Sequence, residues 1–221
     1  MPEKSKLKGR IFLVSLLAVI VLFVVFLSRL EYKTSSLPYL GERFVNQTGD
    51  TVYHEIEQFK LTTHLGIPIT KDSLLGKIHL ASFFFSTCPE VCPAINNNIN
   101  LIVHKFRNIS DVHFVSYTVD PETDSVATLA QYAERYENPL NWHFVTGPKS
   151  SIYRLAEFSY LAIGSGASQK NWAHTEQLTL VDEKGHIRGI FQGRGDQRTI
   201  NEIIDAIKLL RLEKNRAKKK L

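Results

Sequence analysis

The apolar positions of this chain change their spacing in step with the elements they predict. Ile11 to Leu27 form one apolar run broken by Ser15 alone. Residues 31–57 are polar, with Tyr39-Leu40-Gly41 and Asn46-Gln47-Thr48-Gly49-Asp50 as turn material, and read as a linker feeding a first hairpin. Phe59–Thr63 and Ile67–Thr70 then read as two short strands around Leu65-Gly66. Ile78 to Phe85 is nearly all apolar, the mark of a central strand covered on both faces. Val91, Ile95, Ile99, Ile102, Val103 and Phe106 recur at helical spacing. Val112 to Val119 is a second buried strand, ending at Asp120-Pro121. Thr123 or Asp124 is the expected cap of a helix carrying Val126, Leu129, Ala130 and Ala133 on one face.

Trp142 to Val145 makes a third strand, and Ser150 or Ser151 opens a helix through Phe158. Gln177–Val181 and Ile187–Phe191 flank Asp182-Glu183-Lys184-Gly185, a hairpin signal. Ile200, Ile203, Ile204, Ile207 and Leu210 stripe a C-terminal helix. The order β-α-β-α-β-α-β-β-α predicts an α/β domain around a central mixed sheet.

Charge divides the chain into parts that its formal net of +5 conceals. Residues 1–30 hold five Lys/Arg and one acid, and residues 211–221 hold six and one. The remaining 31–210 carry 16 basic and 20 acidic residues, a net of −4, which argues against a nucleic-acid-binding face. Lys4, Lys6, Lys8 and Arg10 precede the first apolar run. That run is long enough for a spanning helix, which needs at least ~17 residues, and no small-x-small cleavage site follows it. An uncleaved N-terminal transmembrane helix is therefore expected, with its basic flank in the cytoplasm. Without an Arg-rich, Ser-rich transit peptide, the bacterial inner membrane with the domain in the periplasm is favoured over the mitochondrial inner membrane facing the intermembrane space. The expected division is 1–10 cytoplasmic, 11–28 anchor, 29–55 linker, 56–210 domain and 211–221 a basic tail, frayed and solvated by its lysines.

The chain's two cysteines lie in Thr87-Cys88-Pro89-Glu90-Val91-Cys92-Pro93, between a buried strand and a helix start. Unpaired N–H groups and the positive helix end favour a thiolate there. A spacing of four puts both sulfurs on one face of the first helical turn, where they can share a metal or form a disulfide. A disulfide that merely braces the turn is disfavoured, because closing so small a loop constrains the unfolded chain little.

Cysteines at the head of the first main helix and a late antiparallel hairpin resemble the thioredoxin fold. In that fold the loop entering the hairpin packs beside the cysteine loop, which brings His174 of Asn171-Trp172-Ala173-His174-Thr175-Glu176 to the thiols. Two thiolates and one imidazole suit copper, Cu(I) above all and Cu(II) second; Zn2+ accepts the same donors but usually takes four. His54, His64, His79, His104, His113, His143 and His186 read as packed or solvated histidines.

The Cys-Pro-x-x-Cys-Pro form at Cys88–Pro93 is joined by Val119-Asp120-Pro121-Glu122-Thr123-Asp124-Ser125 and by His174-Thr175 before a strand ending in Val181-Asp182. Together they resemble the Sco/SenC copper proteins over roughly residues 55–210. The resemblance implies a membrane-anchored, thioredoxin-like copper protein with Cys88, Cys92 and His174 as ligands. Its implied partner is the CuA-bearing subunit of cytochrome c oxidase, served by copper delivery or by preparing that subunit's cysteines. Asp120, Pro121 and Asp124 read as a strand-end turn and helix cap, outside the chemistry. Many members have Asp where this chain has Ala173, so an acidic group to orient the imidazole is missing there. The alternative is a thiol–disulfide oxidoreductase in which the more exposed Cys88 attacks and Cys92 resolves. A proline-free Ala173-His174-Thr175 favours metal over redox alone, and a peroxiredoxin signature is missing.

Overall fold

The computed structural model describes residues 14–25, 36–137, 139–162 and 176–219. The chain divides into two units, Met1–Ser35 and Ser36–Leu221. In the first, residues 14–25 form helix α1, with every residue exposed. Among the described residues no helix is long and apolar enough to cross a membrane. Residues 11–13 and 26–28 of the expected span lie outside them.

The second unit opens with a small hairpin, β1 (Arg43–Val45) and β2 (Thr51–Tyr53), in the stretch expected as linker. Asn46 closes its turn by accepting the Thr48 and Asp50 N–H groups at 3.0 and 2.8 Å, and Gly49 supplies a φ of 87°. The main strands are β3 (Lys60–Thr63), β4 (Pro68–Thr70), β5 (Ile78–Phe84), β6 (Val112–Thr118), β7 (Trp142–Thr146), β8 (Gln177–Val181) and β9 (Ile187–Gln192). They form one sheet in the order β4-β3-β7-β6-β5-β8-β9. β5, β6 and β7 run parallel, and the flanking strands pair antiparallel.

Two cores cover the sheet. Ile78, Leu80 and Phe84 of β5 enter one and Ala81 and Phe83 the other, the period-two alternation of a strand buried on both faces. The first core is filled by helices α3 (Val91–Phe106), α4 (Val126–Glu134) and α6 (Gln197–Lys218), through Ile95, Ile99, Ile102, Leu129, Ile203 and Ile207. The second is covered by α5 (Lys149–Arg154) and the π-helical turn Leu155–Ser159, with Ile152 and Leu155 inside. Each such fully buried side chain contributes about 1.5–3 kcal/mol. A four-residue helix, α2 (Lys71–Leu74), follows β4.

Three expectations need correcting. Ser125, not Thr123 or Asp124, caps α4, accepting the Thr128 N–H at 3.1 Å. Helix α5 begins at Lys149, before either serine, with Pro148 at its N-cap, where the proline carbonyl accepts the Ile152 N–H at 3.1 Å. The basic tail is not simply frayed: α6 continues to Lys218. Buried Lys214 donates to the Gly76 carbonyl at 2.7 Å and to Asp111 at 2.9 Å, and Arg211 reaches Asp111 at 3.0 Å.

Buried Arg188 ties the start of this unit to the sheet. It donates to Asp182 (3.1 Å), Glu213 (2.8 Å) and the Leu37 and Pro38 carbonyls (2.6 and 3.1 Å), and stacks 4.2 Å from the centre of the Tyr39 ring. Arg188→Ala would take the cation from the buried Asp182 carboxylate, leaving it only the Lys184 and His186 bonds, and would loosen residues 36–39. We expect a loss of about 3–5 kcal/mol in urea unfolding and new proteolytic cleavage near Leu37; unchanged cleavage would remove this tie from the account.

Burial alone would raise the Asp111 pKa, but Lys214 and Arg211 outweigh it and hold the carboxyl below its ordinary 3.8. The stabilisation is present above that unfolded value and is lost as pH falls through the lower folded one. Asp111→Asn should therefore flatten the acid side of the stability–pH curve, read by thermal melts from pH 7 to about pH 2.

Candidate metal centre

Strand β5 ends at Phe84, and the chain turns through Phe85-Ser86-Thr87-Cys88 before α3 starts at Val91. Asp124, fully buried, sits under this turn. Its carboxyl group accepts the Ser86 N–H at 3.0 Å and the Ser86 and Thr118 hydroxyls. The Val119 N–H adds a 2.8 Å bond to the Phe84 carbonyl. The cysteine loop is thus bolted to the end of β6 by a carboxyl group expected to be only a turn and cap. Its partners Ser86 and Thr118 carried no signal in the sequence.

The thiols differ in place. Cys88 lies in the turn ahead of α3, with its N–H on the Phe85 carbonyl at 3.2 Å, and Cys92 lies inside the first helical turn. The two do not share one helix face, because the helix begins three residues after Cys88. The Glu90 side chain makes no cap bond. Instead the Cys88 sulfur accepts the Cys92 N–H at 3.3 Å, doing at the helix head what a capping oxygen does. The residues are 8 % and 5 % exposed, so exposure does not separate them.

Hydrogen bonding to Cys88 and the less solvated surroundings of Cys92 do. Burial works against the Cys88 thiolate, but the Cys92 N–H and side chain and the Glu90 and Val91 N–H groups outweigh it and lower the Cys88 pKa. Burial drives the Cys92 pKa up, and its bond and charge coupling to Cys88 and the Asp124 carboxylate add to that. Both thiols are free.

His174 lies outside the described residues, as do Trp172 and Ala173. Among the described residues no three His, Cys, Asp or Glu side chains are placed to hold a metal together. On either side of residues 163–175 the described chain is joined: Gln177 Nε2 donates to the Leu161 carbonyl at 2.9 Å and Thr179 to that of Tyr160 at 3.0 Å. The Gly193 N–H donates to the Glu176 carbonyl at 2.5 Å. A Cβ on Gly193 would stand 2.7 Å from that carbonyl and 2.9 Å from Ile95, one turn beyond Cys92. Asn98 of α3 holds the same loop through the Gly193 and Gly195 carbonyls at 2.9 and 3.0 Å. Gly193 and Asn98, both missed in the sequence, link Glu176 to the cysteine-bearing helix through the Gly193 loop.

The SCO1/SenC family pattern matches residues 47–209. The chain belongs to the SCO1/SenC family. The SCO1 protein homolog of Bacillus subtilis is 31% identical over 154 residues, 66% of this chain and 78% of that protein. The structure of BsSco, a member of the Sco family of cytochrome c oxidase assembly proteins in which a disulfide switch was identified, matches with a TM-score of 0.61 and 27% identity, covering 71% of this chain and 93% of that one. Yeast Sco1 with copper bound shares the fold at a TM-score of 0.58 and 21% identity, covering 71% and 94%. The thioredoxin-like mixed α/β architecture expected from the sequence is that of these SCO1/SenC structures.

The asymmetry of the thiols can be read directly. Limiting iodoacetamide should label Cys88 before Cys92, with mass spectrometry giving the order. Faster labelling of Cys92 would overturn the hydrogen-bond account.

Proposed function

We propose that this SCO1/SenC protein binds copper as cargo through Cys88, Cys92 and His174, and delivers it to the CuA site of cytochrome c oxidase or prepares the cysteines of that site. The observation that carries this reading is the Cys88 sulfur held on the N-terminal amides of α3 beside a second thiol. Such a pair is a soft donor set that suits Cu(I) and, second, Cu(II). His174 is two residues from Glu176, a reach of about 7 Å at most, and the Glu176 carbonyl and Ile95 of the cysteine helix both crowd Gly193. The copper-bound yeast relative and the membership of BsSco in a family of cytochrome c oxidase assembly proteins support the cargo and the target.

Binding requires Cys88 and Cys92 to lose protons and the His174 ring to be neutral. Cys88 is prepared for this; Cys92 gives up its proton when the metal arrives. A three-ligand set leaves a position for an incoming thiolate of the acceptor, through which copper can pass.

Residues 11–28 form the anchor in this reading. A helix apolar and exposed all round, as residues 14–25 are, is suited to lipid. The domain then faces the periplasm across a bacterial inner membrane, the mitochondrial intermembrane space being the less favoured setting.

The thiol asymmetry also favours a second reading, a thiol–disulfide oxidoreductase. Cys88 as thiolate would attack a partner disulfide, and Cys92 would then displace the mixed disulfide, leaving the partner reduced and Cys88–Cys92 oxidised. Anaerobic Cu(I) titration of the full-length chain against a competing chelator separates the two. We expect one thiolate-bound copper per chain, its sulfur neighbours in X-ray absorption lost in Cys88→Ser and Cys92→Ser, and its affinity strongly weakened in His174→Ala while Cys88 alkylation stays unchanged. Affinity should also fall from pH 8 to about pH 5 as protons compete for the ligands. Copper affinity untouched by His174→Ala would favour the redox reading.

A further inference from the structure

His113 and His143 are the second residues of strands β6 and β7, far along the sheet from the cysteine loop. They lie on the face whose later positions, Val115, Tyr117 and Val145, line the second core. His113 Nδ1 and His143 Nε2 are 3.2 Å apart. The ring centres are 5.5 Å apart and the planes 17° from parallel. Rings of imidazole size reach that separation across a 3.2 Å gap when both nitrogens lie on the line between the centres. The lone-pair directions therefore run at each other in nearly one plane.

The far nitrogen of His113, Nε2, faces the Ser110 carbonyl at 3.2 Å. A carbonyl accepts, so it assigns the His113 proton to Nε2 and leaves Nδ1 a lone pair pointing at His143. Metal-binding imidazoles are commonly held in this way by a carbonyl on their other nitrogen. Burial lowers the pKa of both rings, His143 to about 4, so both are neutral at pH 7. The pair borders a cavity of about 140 Å³ lined also by Thr63, Ile67, Ser73, Leu74 and Lys77.

We propose that His113 and His143 form a second metal site that takes a soft monovalent cation, Cu(I), in line between Nδ1 and Nε2. Imidazole is a good ligand for copper, and Cu(I) accepts two opposed donors where Zn2+ calls for four. Lys77 faces the pair, and its repulsion doubles for a divalent ion, which selects the monovalent one. Metal–nitrogen bonds of about 2.0 Å set the nitrogens about 4 Å apart, so each ring recedes by about 0.4 Å, with the cavity alongside to accept the shift. The His143 proton moves from Nε2 to Nδ1 as the metal takes its place, so no charge is lost from either ring. His64 stays outside the site, its Nδ1 accepting the Phe144 N–H at 3.2 Å.

The test uses the full-length chain carrying Cys88→Ser, Cys92→Ser and His174→Ala, so its outcome is independent of the thiol-site reading. Anaerobic Cu(I) titration against a chromophoric chelator should leave one bound equivalent, with two nitrogen neighbours by X-ray absorption. Adding His143→Gln or His113→Gln should weaken it by about tenfold or more, at least what losing an outer-sphere partner of a ligand costs. Nitrogen-15 spectra of the unsubstituted pair should show the His113 and His143 ring signals moving on Cu(I) addition, a readout that needs no change at either histidine. No retained equivalent, or ring signals that stay still, would overturn the proposal.

Discussion

The buried carboxyl group of Asp124 is the contact on which the site depends. It takes the Ser86 N–H and the hydroxyls of Ser86 and Thr118, joining the turn after β5 to the end of β6. A turn leaving a central parallel strand has no neighbouring strand to pair with, so its polar groups must find partners elsewhere or be left unsatisfied. Asp124 meets that need from a segment thirty-eight residues later in the chain. With the turn held, Cys88 is delivered to the open amides of α3 and its sulfur takes over the cap that Glu90 leaves vacant. The chemistry of the thiol pair is in this sense set by a third residue that touches neither sulfur by hydrogen bond.

The two cysteines start equal in the sequence and end unequal in the fold. Both are buried to nearly the same degree, so solvent access does not tell them apart. Cys88 collects amide hydrogen bonds, whereas Cys92 is placed deeper in the helix turn with a carboxyl and a thiol as its neighbours. One fold thereby holds a thiol ready to ionise beside one that ionises when something binds. That combination serves metal capture and disulfide exchange alike, which is why both readings draw on the same pair.

The sheet presents different chemistry at its two ends. Loops leaving the C-terminal ends of the parallel strands carry the thiols, as α/β sheets commonly arrange their ligands. Towards the opposite end the second residues of β6 and β7 carry two imidazoles aimed at one another. The intervening strand residues are packed apolar and aromatic side chains, which hold both ends at fixed geometry.

Much of this molecule was legible in its order of residues. The near-continuous apolar run of β5, the 3.6-residue stripe of α3 and the hairpin signal at Asp182–Gly185 identified strand, helix and turn because local spacing must match the period of the element it builds. Cys88 and Cys92 were legible as a reactive pair because their position at a helix start is itself local information. Tertiary structure alone decided what crosses long distances: Asp124 beneath Ser86, Lys214 on Asp111, Asn98 and Gly193 gathering Glu176 to α3, and His113 facing His143. No spacing along the chain encodes these, since each joins elements whose separation in sequence is erased when the sheet assembles. The caps at Ser125 and Pro148 were not legible for a different reason, since several adjacent residues are competent to cap and local pattern does not choose among them.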